Sequence, residues 1–137
     1  MSEYKKPIPA PTSESRPYWD GLRERKLLMP RCDDCKAYWF PPSALCPHCS
    51  SENWTWTQTS GRGRVFSYVV YHRVYHPGFA DEVPYTVGVI ELEEGPRMIS
   101  NVIGIPPGQV TCDMKVEVEF QPITDEITLP KFKPAAA

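Results

Sequence analysis

Residues 32–49, CDDCKAYWFPPSALCPHC, set two Cys-x2-Cys hooks ten residues apart. Hooks at this spacing close a tetrahedral site around one Zn²⁺ with each thiolate at about 2.3 Å, and four protein ligands leave no position for water or substrate. Cys32, Cys35, Cys46 and Cys49 are therefore expected to hold a structural zinc that staples the chain and takes no part in catalysis. Iron of rubredoxin type is the alternative at the same cysteines; it would make the protein red and redox-active, where zinc is colourless. Disulfides fit poorly, because the chain has no apolar N-terminal segment of signal-peptide type and an odd total of five cysteines. A thioredoxin-like pair needs one hook on a strand-to-helix turn, and here there are two, both in Pro-rich sequence. His48 sits inside the second hook, where it reads as a solvent-facing knuckle residue beside a site already complete with four thiolates.

The 137 residues around these hooks suffice for one small domain or two very small modules sharing a boundary. No run approaches the ~20 apolar residues of a membrane span, so a soluble, cytoplasmic protein without a membrane partner is expected. A net charge of −2 argues against a dedicated nucleic-acid binder, whose footprint is strongly basic. Sixteen prolines mark many turns and few long helices.

The chain divides into an extended arm over 1–12, a helix and ribbon over 13–57, a barrel over 58–133 and a tail over 134–137. Ser13 or Ser15 is placed to cap a helix over 15–26, with Pro17 in its first turn. Tyr18, Trp19 and Leu22 form a narrow apolar stripe on it that needs a partner surface, either this chain's own ribbon or another subunit. Trp39, Phe40, Trp54 and Trp56 read as packing around the metal site rather than a base-stacking platform. From Gly61 onward the signal is β. Residues 64–76 carry apolar side chains on both alternating faces, Phe66, Val70 and Val74 against Val65, Val69 and Tyr71, as in a bulged strand curled through a barrel. Strands over 85–92 and 97–103 form a hairpin about the turn 93–96, and 115–120 alternates with Val116, Val118 and Phe120 inward. The fold class expected is mainly β: an N-terminal helix, a zinc ribbon and a small OB-type barrel.

These residues carry a resemblance. Pro17-Tyr18-Trp19, the two hooks bridged by Phe40-Pro41-Pro42, then Gly61-Arg62-Gly63-Arg64-Val65, Pro84-Tyr85 and Glu94-Gly95-Pro96-Arg97 occur in the order seen in an acyl-CoA-associated family, long catalogued as a domain of unknown function. That family joins a rubredoxin-like zinc ribbon to an OB-fold, and the resemblance runs from about residue 7 to residue 133. It implies a non-catalytic subunit beside a thiolase-fold enzyme, such as a thiolase, a hydroxymethylglutaryl-CoA synthase or a sterol side-chain aldolase. The thiolase that ends anaerobic toluene degradation is one such complex. Three positions depart from the family pattern: Lys36 and Ser50 follow the hooks where glycine is common, and Asp113 precedes Met114 where glycine is expected.

Catalysis is not expected from this chain alone. His48, His72 and His76 come with no nucleophile elbow and no acidic orienter, and Cys112 is read as a small packed thiol. Between Glu52 and Asp81 there is no acidic residue, yet Arg62, Arg64 and Arg73 stand there among tyrosines. In an acyl-CoA complex those arginines are candidates for the phosphates of coenzyme A at the shared interface; otherwise they face solvent or a partner's carboxylates. The competing function is a single-stranded nucleic-acid module, since zinc ribbons and OB barrels both serve there.

Overall fold

The computed structural model describes residues 4–135; residues 1–3 of the expected arm and 136–137 of the expected tail lie outside the described residues. Helix α1 (Arg16–Arg23) opens with Pro17 in its first turn, where a missing N–H leaves no bond unmade. Ser15 stands at the N-cap, but its hydroxyl turns back to accept the Thr12 N–H at 3.0 Å and caps nothing ahead of it. The helix was expected to reach Lys26 and stops at Arg23. There Arg25 swings to φ 65°, its N–H meets the Leu22 carbonyl at 3.0 Å, and the Lys26 N–H meets that of Gly21 at 2.9 Å. This doubly bonded ending is usually built on glycine. Arg25 fills the role and reaches across to donate to the Phe120 carbonyl at 3.2 Å.

Strands β1 (Leu28–Cys32) and β2 (Trp54–Gln58) pair antiparallel, with Cys32 opposite Trp54. The remaining strands are β3 (Arg62–Tyr71), β4 (Tyr85–Leu92), β5 (Arg97–Val102), β6 (Lys115–Pro122) and β7 (Thr128–Pro134). They close into a barrel in the order β3-β4-β5-β7-β6. The fold is thus the expected helix, zinc-ribbon sheet and five-stranded OB-type barrel. Strict alternation in β4 turns Thr86, Gly88, Ile90 and Leu92 inward.

Two strands depart from expectation. β3 ends at Tyr71 rather than His76, because Tyr71 pairs with Tyr85, the first residue of β4, and a strand persists only while its backbone groups find a ladder partner. A bulge between Val65 and Ser67 shifts the register by one, as the mixed pattern of this run suggested, but with a consequence the alternation did not show. Val65 is fully buried, while Val69, assigned to the same face, stands 54% exposed. β7 was not read as a strand, since Pro130 and Pro134 interrupt it. It tolerates them because β6 pairs with it along its whole length while β5 joins it through a single bridge, Val102 to Phe132.

One apolar core runs through both halves of the chain. Tyr18, Leu22, Leu27 and Met29 from the helix and ribbon pack in a single cluster with Val65, Ile90, Val102 and Phe132 from the barrel. Full burial of a Leu or Val contributes about 1.5–3 kcal/mol, so this seam holds the ribbon firmly on the barrel. Thr59 adds a polar tie, donating its N–H and its hydroxyl to the Leu27 carbonyl at 2.9 and 2.8 Å.

Candidate metal centre and surrounding surfaces

β1 delivers Cys32 to the end of the ribbon sheet, and two tight turns do the rest. The Lys36 N–H bonds the Cys32 carbonyl at 3.0 Å, and the Ser50 N–H bonds that of Cys46 at 2.8 Å. The return bonds match as well, Cys32 N–H to Ala37 and Cys46 N–H to Ser51, at 2.8 and 3.0 Å. Both hooks therefore adopt one knuckle, in which the residue after the second cysteine has positive φ: Lys36 at 67° and Ser50 at 63°. The missing glycines have not changed the turn.

The four sulfurs converge. All lie within 4.8 Å of one another, with Cys32 to Cys49 at 3.5 Å and Cys35 to Cys46 at 3.6 Å. Four thiolates at about 2.3 Å from a tetrahedral zinc would stand about 3.8 Å apart, so the cage fits that ion with little movement. Backbone donors already face the sulfurs: the Cys35 N–H reaches Cys32 Sγ and the His48 N–H reaches Cys46 Sγ, each at 3.4 Å. The Cys35 N–H, with that of Asp34 beside it, holds the Cys32 thiol down to about 7 against the upward push of burial. Cys32, Cys35, Cys46 and Cys49 are placed to hold a structural zinc with no open position, and the ion would cross-link the two knuckles.

Around the cage, Trp39 is buried against Cys32 and Cys46, and Trp54 packs beside them. Their indole N–H groups donate to Ser43 Oγ at 3.0 Å and to the Ala44 carbonyl at 2.8 Å. Phe40 and Trp56, expected at the same place, pack instead on the larger core. Asp34 accepts from the Ser51 hydroxyl and the Asn53 amide, tying one hook to the segment after the other; the Ser51 bond, first, and the Asn53 bond hold its carboxyl below the usual range. His48 is an exposed residue of the second knuckle.

The three candidate arginines are not brought together. Arg62 and Arg64 line a cleft of about 360 Å³ at the β3–β6 seam with Glu91, Glu93, Asp113 and Lys115. Arg64 is engaged there: it donates to Glu91 at 2.8 Å and pairs with Asp113. Arg97 holds the other oxygen of Glu91 at 2.9 Å, and these two bonds, Arg97's first, keep the Glu91 carboxyl below its usual range. Arg73 lies beyond the end of β3, over the Tyr75 ring at 5.4 Å. Of the helix stripe, Tyr18 and Leu22 are buried in the chain's own core and Trp19 alone stays partly open. Cys112 is exposed rather than packed. No helix among the described residues is long and apolar enough to cross a membrane.

Sequence reasoning missed the joint between ribbon and barrel. There Ser60 donates its N–H to Glu94 at 2.8 Å and its hydroxyl to Glu93 at 3.0 Å. Glu93-Glu94 was legible only as a turn, since its partner lies more than thirty residues upstream.

Known proteins share this arrangement. Residues 19–55 match the family model described as ChsH2, rubredoxin-like zinc ribbon domain, and residues 56–121 match that described as ChsH2, C-terminal OB-fold domain. A DUF35 domain-containing scaffold protein of Methanocaldococcus jannaschii is 35% identical, covering 79% of this chain and 77% of its own. A probable enoyl-CoA hydratase alpha subunit of Thermomonospora curvata is 38% identical over 95% of this chain, which spans only 40% of that relative's length. The benzoylsuccinyl-CoA thiolase subunit BbsA of Thauera aromatica is 29% identical, covering 86% of this chain and 74% of its own. A solved chain titled Ltp2-ChsH2(DUF35) aldolase superposes with a TM-score of 0.84 at 37% identity, covering 94% of this chain and all of that one. With its zinc ribbon and OB-fold matched in the same order, and with a DUF35 relative 35% identical over 79% of the chain, the chain belongs to the ChsH2-type DUF35 family.

Proposed function

We propose that this chain is a non-catalytic, zinc-stapled accessory subunit of a thiolase-fold enzyme that makes or breaks a C–C bond on a CoA thioester. The observation that carries the reading is the whole-chain likeness to the DUF35 chain of an aldolase, supported by the likeness to a thiolase subunit. The chemistry would then belong to the partner. This chain would contribute a rigid surface, fixed by the zinc knuckles at one end and the shared core at the other. The test is to purify the tagged chain from its own organism and identify what comes with it by peptide mass. A stoichiometric thiolase-fold subunit is the expected result; a chain that purifies alone and itself cleaves a 3-oxoacyl-CoA overturns the reading.

Coenzyme A at the shared interface is the finer part of this proposal. Arg62 and Lys115 line the β3–β6 cleft beside the engaged Arg64, two cations of the kind that phosphate groups recruit. Arg62→Ala is expected to raise the complex's Michaelis constant for its CoA substrate several-fold with kcat unchanged. Unaltered kinetics in an intact complex would remove CoA from this cleft.

A further inference from the structure

Five of the large apolar side chains that stand exposed, Phe66, Val69, Val74, Tyr75 and Ile99, belong to β3, the loop that continues it, and β5. Register makes most of them neighbours. On the outer side of the barrel Val69 pairs with Val87, Val89 pairs with Ile99, and Val87 and Val89 are successive outward residues of β4. Tyr71 stacks on Tyr85 at 5.3 Å and meets Tyr75 edge-on at 5.8 Å, carrying the surface onto the loop. At the other edge Ile99 lines a cleft of about 280 Å³ together with Trp19 and Lys131. The result is one apolar sheet face running from the Tyr75 loop to helix α1, with Ile99 73% and Val69 54% exposed. Contiguous apolar patches of this kind on otherwise ordinary surfaces mark interaction sites.

The border of this face is basic, although the chain as a whole carries −2. Arg97 lies over the Phe66 ring at 3.7 Å and Arg73 over that of Tyr75 at 5.4 Å. Arg64 and Lys131 stand at the remaining edges, and Lys131 donates to the neutral amide of Asn101 at 2.7 Å. Glu91 and Asp113 are taken up by Arg64 and Arg97, and Glu82 near Tyr85 by Lys6, so among the described residues Arg73 and Lys131 are the border cations without a carboxylate partner. Two copies meeting face to face would bring like-charged borders together. An apolar surface edged with carboxylates would satisfy both the centre and the border.

We infer that the outer β3–β4–β5 face is the surface on which the thiolase-fold subunit sits, centred on Val69 and Ile99 and steered by Arg73. The inference rests on the accessory-subunit reading and shifts the contact away from Tyr18 and Leu22, whose side chains are spent inside this chain.

The test measures binding of this chain, zinc-loaded, to its co-purified and separately expressed thiolase-fold subunit by calorimetry. The set is wild type, Ile99→Lys, Val69→Lys, Arg73→Glu and, as a control on the ribbon surface, Leu45→Lys. Zinc content and melting temperature should be unchanged in all, since every site is exposed. Ile99→Lys and Val69→Lys are each expected to weaken binding by about tenfold or more, as central interface residues do. Arg73→Glu should weaken it less and remove part of its salt dependence, and Leu45→Lys should bind as wild type. If wild type binds and both Lys variants bind equally well, the face is wrong and the accessory role stands. If wild type binds no thiolase-fold subunit, both fall. If the Lys variants change only a self-association of this chain seen by light scattering, the occupant is a second copy and the inference is overturned.

Discussion

Positive φ at Lys36, Ser50 and Asp113 puts three side chains where glycine is the usual occupant. Left-handed backbone costs a side-chained residue about 1–2 kcal/mol, against which glycine loses about 0.5–1 kcal/mol of chain entropy. Ser50→Gly should therefore leave the knuckle slightly better formed and slow zinc loss to a chelator by a few-fold, measured with a colorimetric zinc dye. Faster release would mean that the turn is not under strain. The convergence of the four cysteines was legible, because knuckle spacing is local and thiolate chemistry is specific. The pairing of Glu91 with Arg64 and Arg97 was not, since it joins three strands through register that no short window contains. That pairing has a pH signature. Glu91 is held below its ordinary value of 4.5, so its contribution is present above that value in the folded chain and lost as pH falls through the lowered one. Acid titration of the melting temperature should show wild type losing more than Glu91→Gln below about pH 4.5; parallel curves would contradict the assignment.

Each element shows the same division between local and distant causes. The hairpin over β4 and β5 was readable from alternation and one turn, whereas the end of β3 depended on where β4 begins and the helix end on an arginine in a glycine role. β7 was hidden because prolines argue against a strand until the neighbour that relieves them is known. Gly61 marks the point where ribbon becomes barrel, at φ 75° and with Val118 Cγ1 2.6 Å from where a Cβ would stand. Gly61→Ala should cost about 1–3 kcal/mol, seen as a lower urea midpoint with little change in slope. A variant as stable as wild type would show that this junction has room to shift.

Over the whole molecule, the zinc cage and the apolar core do different jobs. The cage orders Trp39, Trp54 and the two knuckles, while Leu27 and Met29 of the ribbon are held in the barrel's own core. Chelation should therefore red-shift the tryptophan emission and lower the melting temperature without abolishing the barrel's β signal, a partial form of the coupling between metal binding and folding. Complete loss of structure would mean that the core cannot stand without the ion. The fold class and the metal centre could be read from the sequence; the outer sheet face could not, because a single bulge after Val65 decides which side chains it displays. The central claim is that this chain assembles and does not catalyse. It is tested most directly by measuring turnover of a 3-oxoacyl-CoA by the chain alone, by its thiolase-fold subunit with wild type, and by that subunit with Cys46→Ser. Expected are no turnover by the chain alone, full turnover for the wild-type complex, and, because the docking face lies on the barrel and not on the zinc cage, a Cys46→Ser chain of lower melting temperature whose turnover falls only in proportion to the complex it still forms. Turnover by the chain alone, or a Cys46→Ser complex that forms normally yet is inactive, would contradict it.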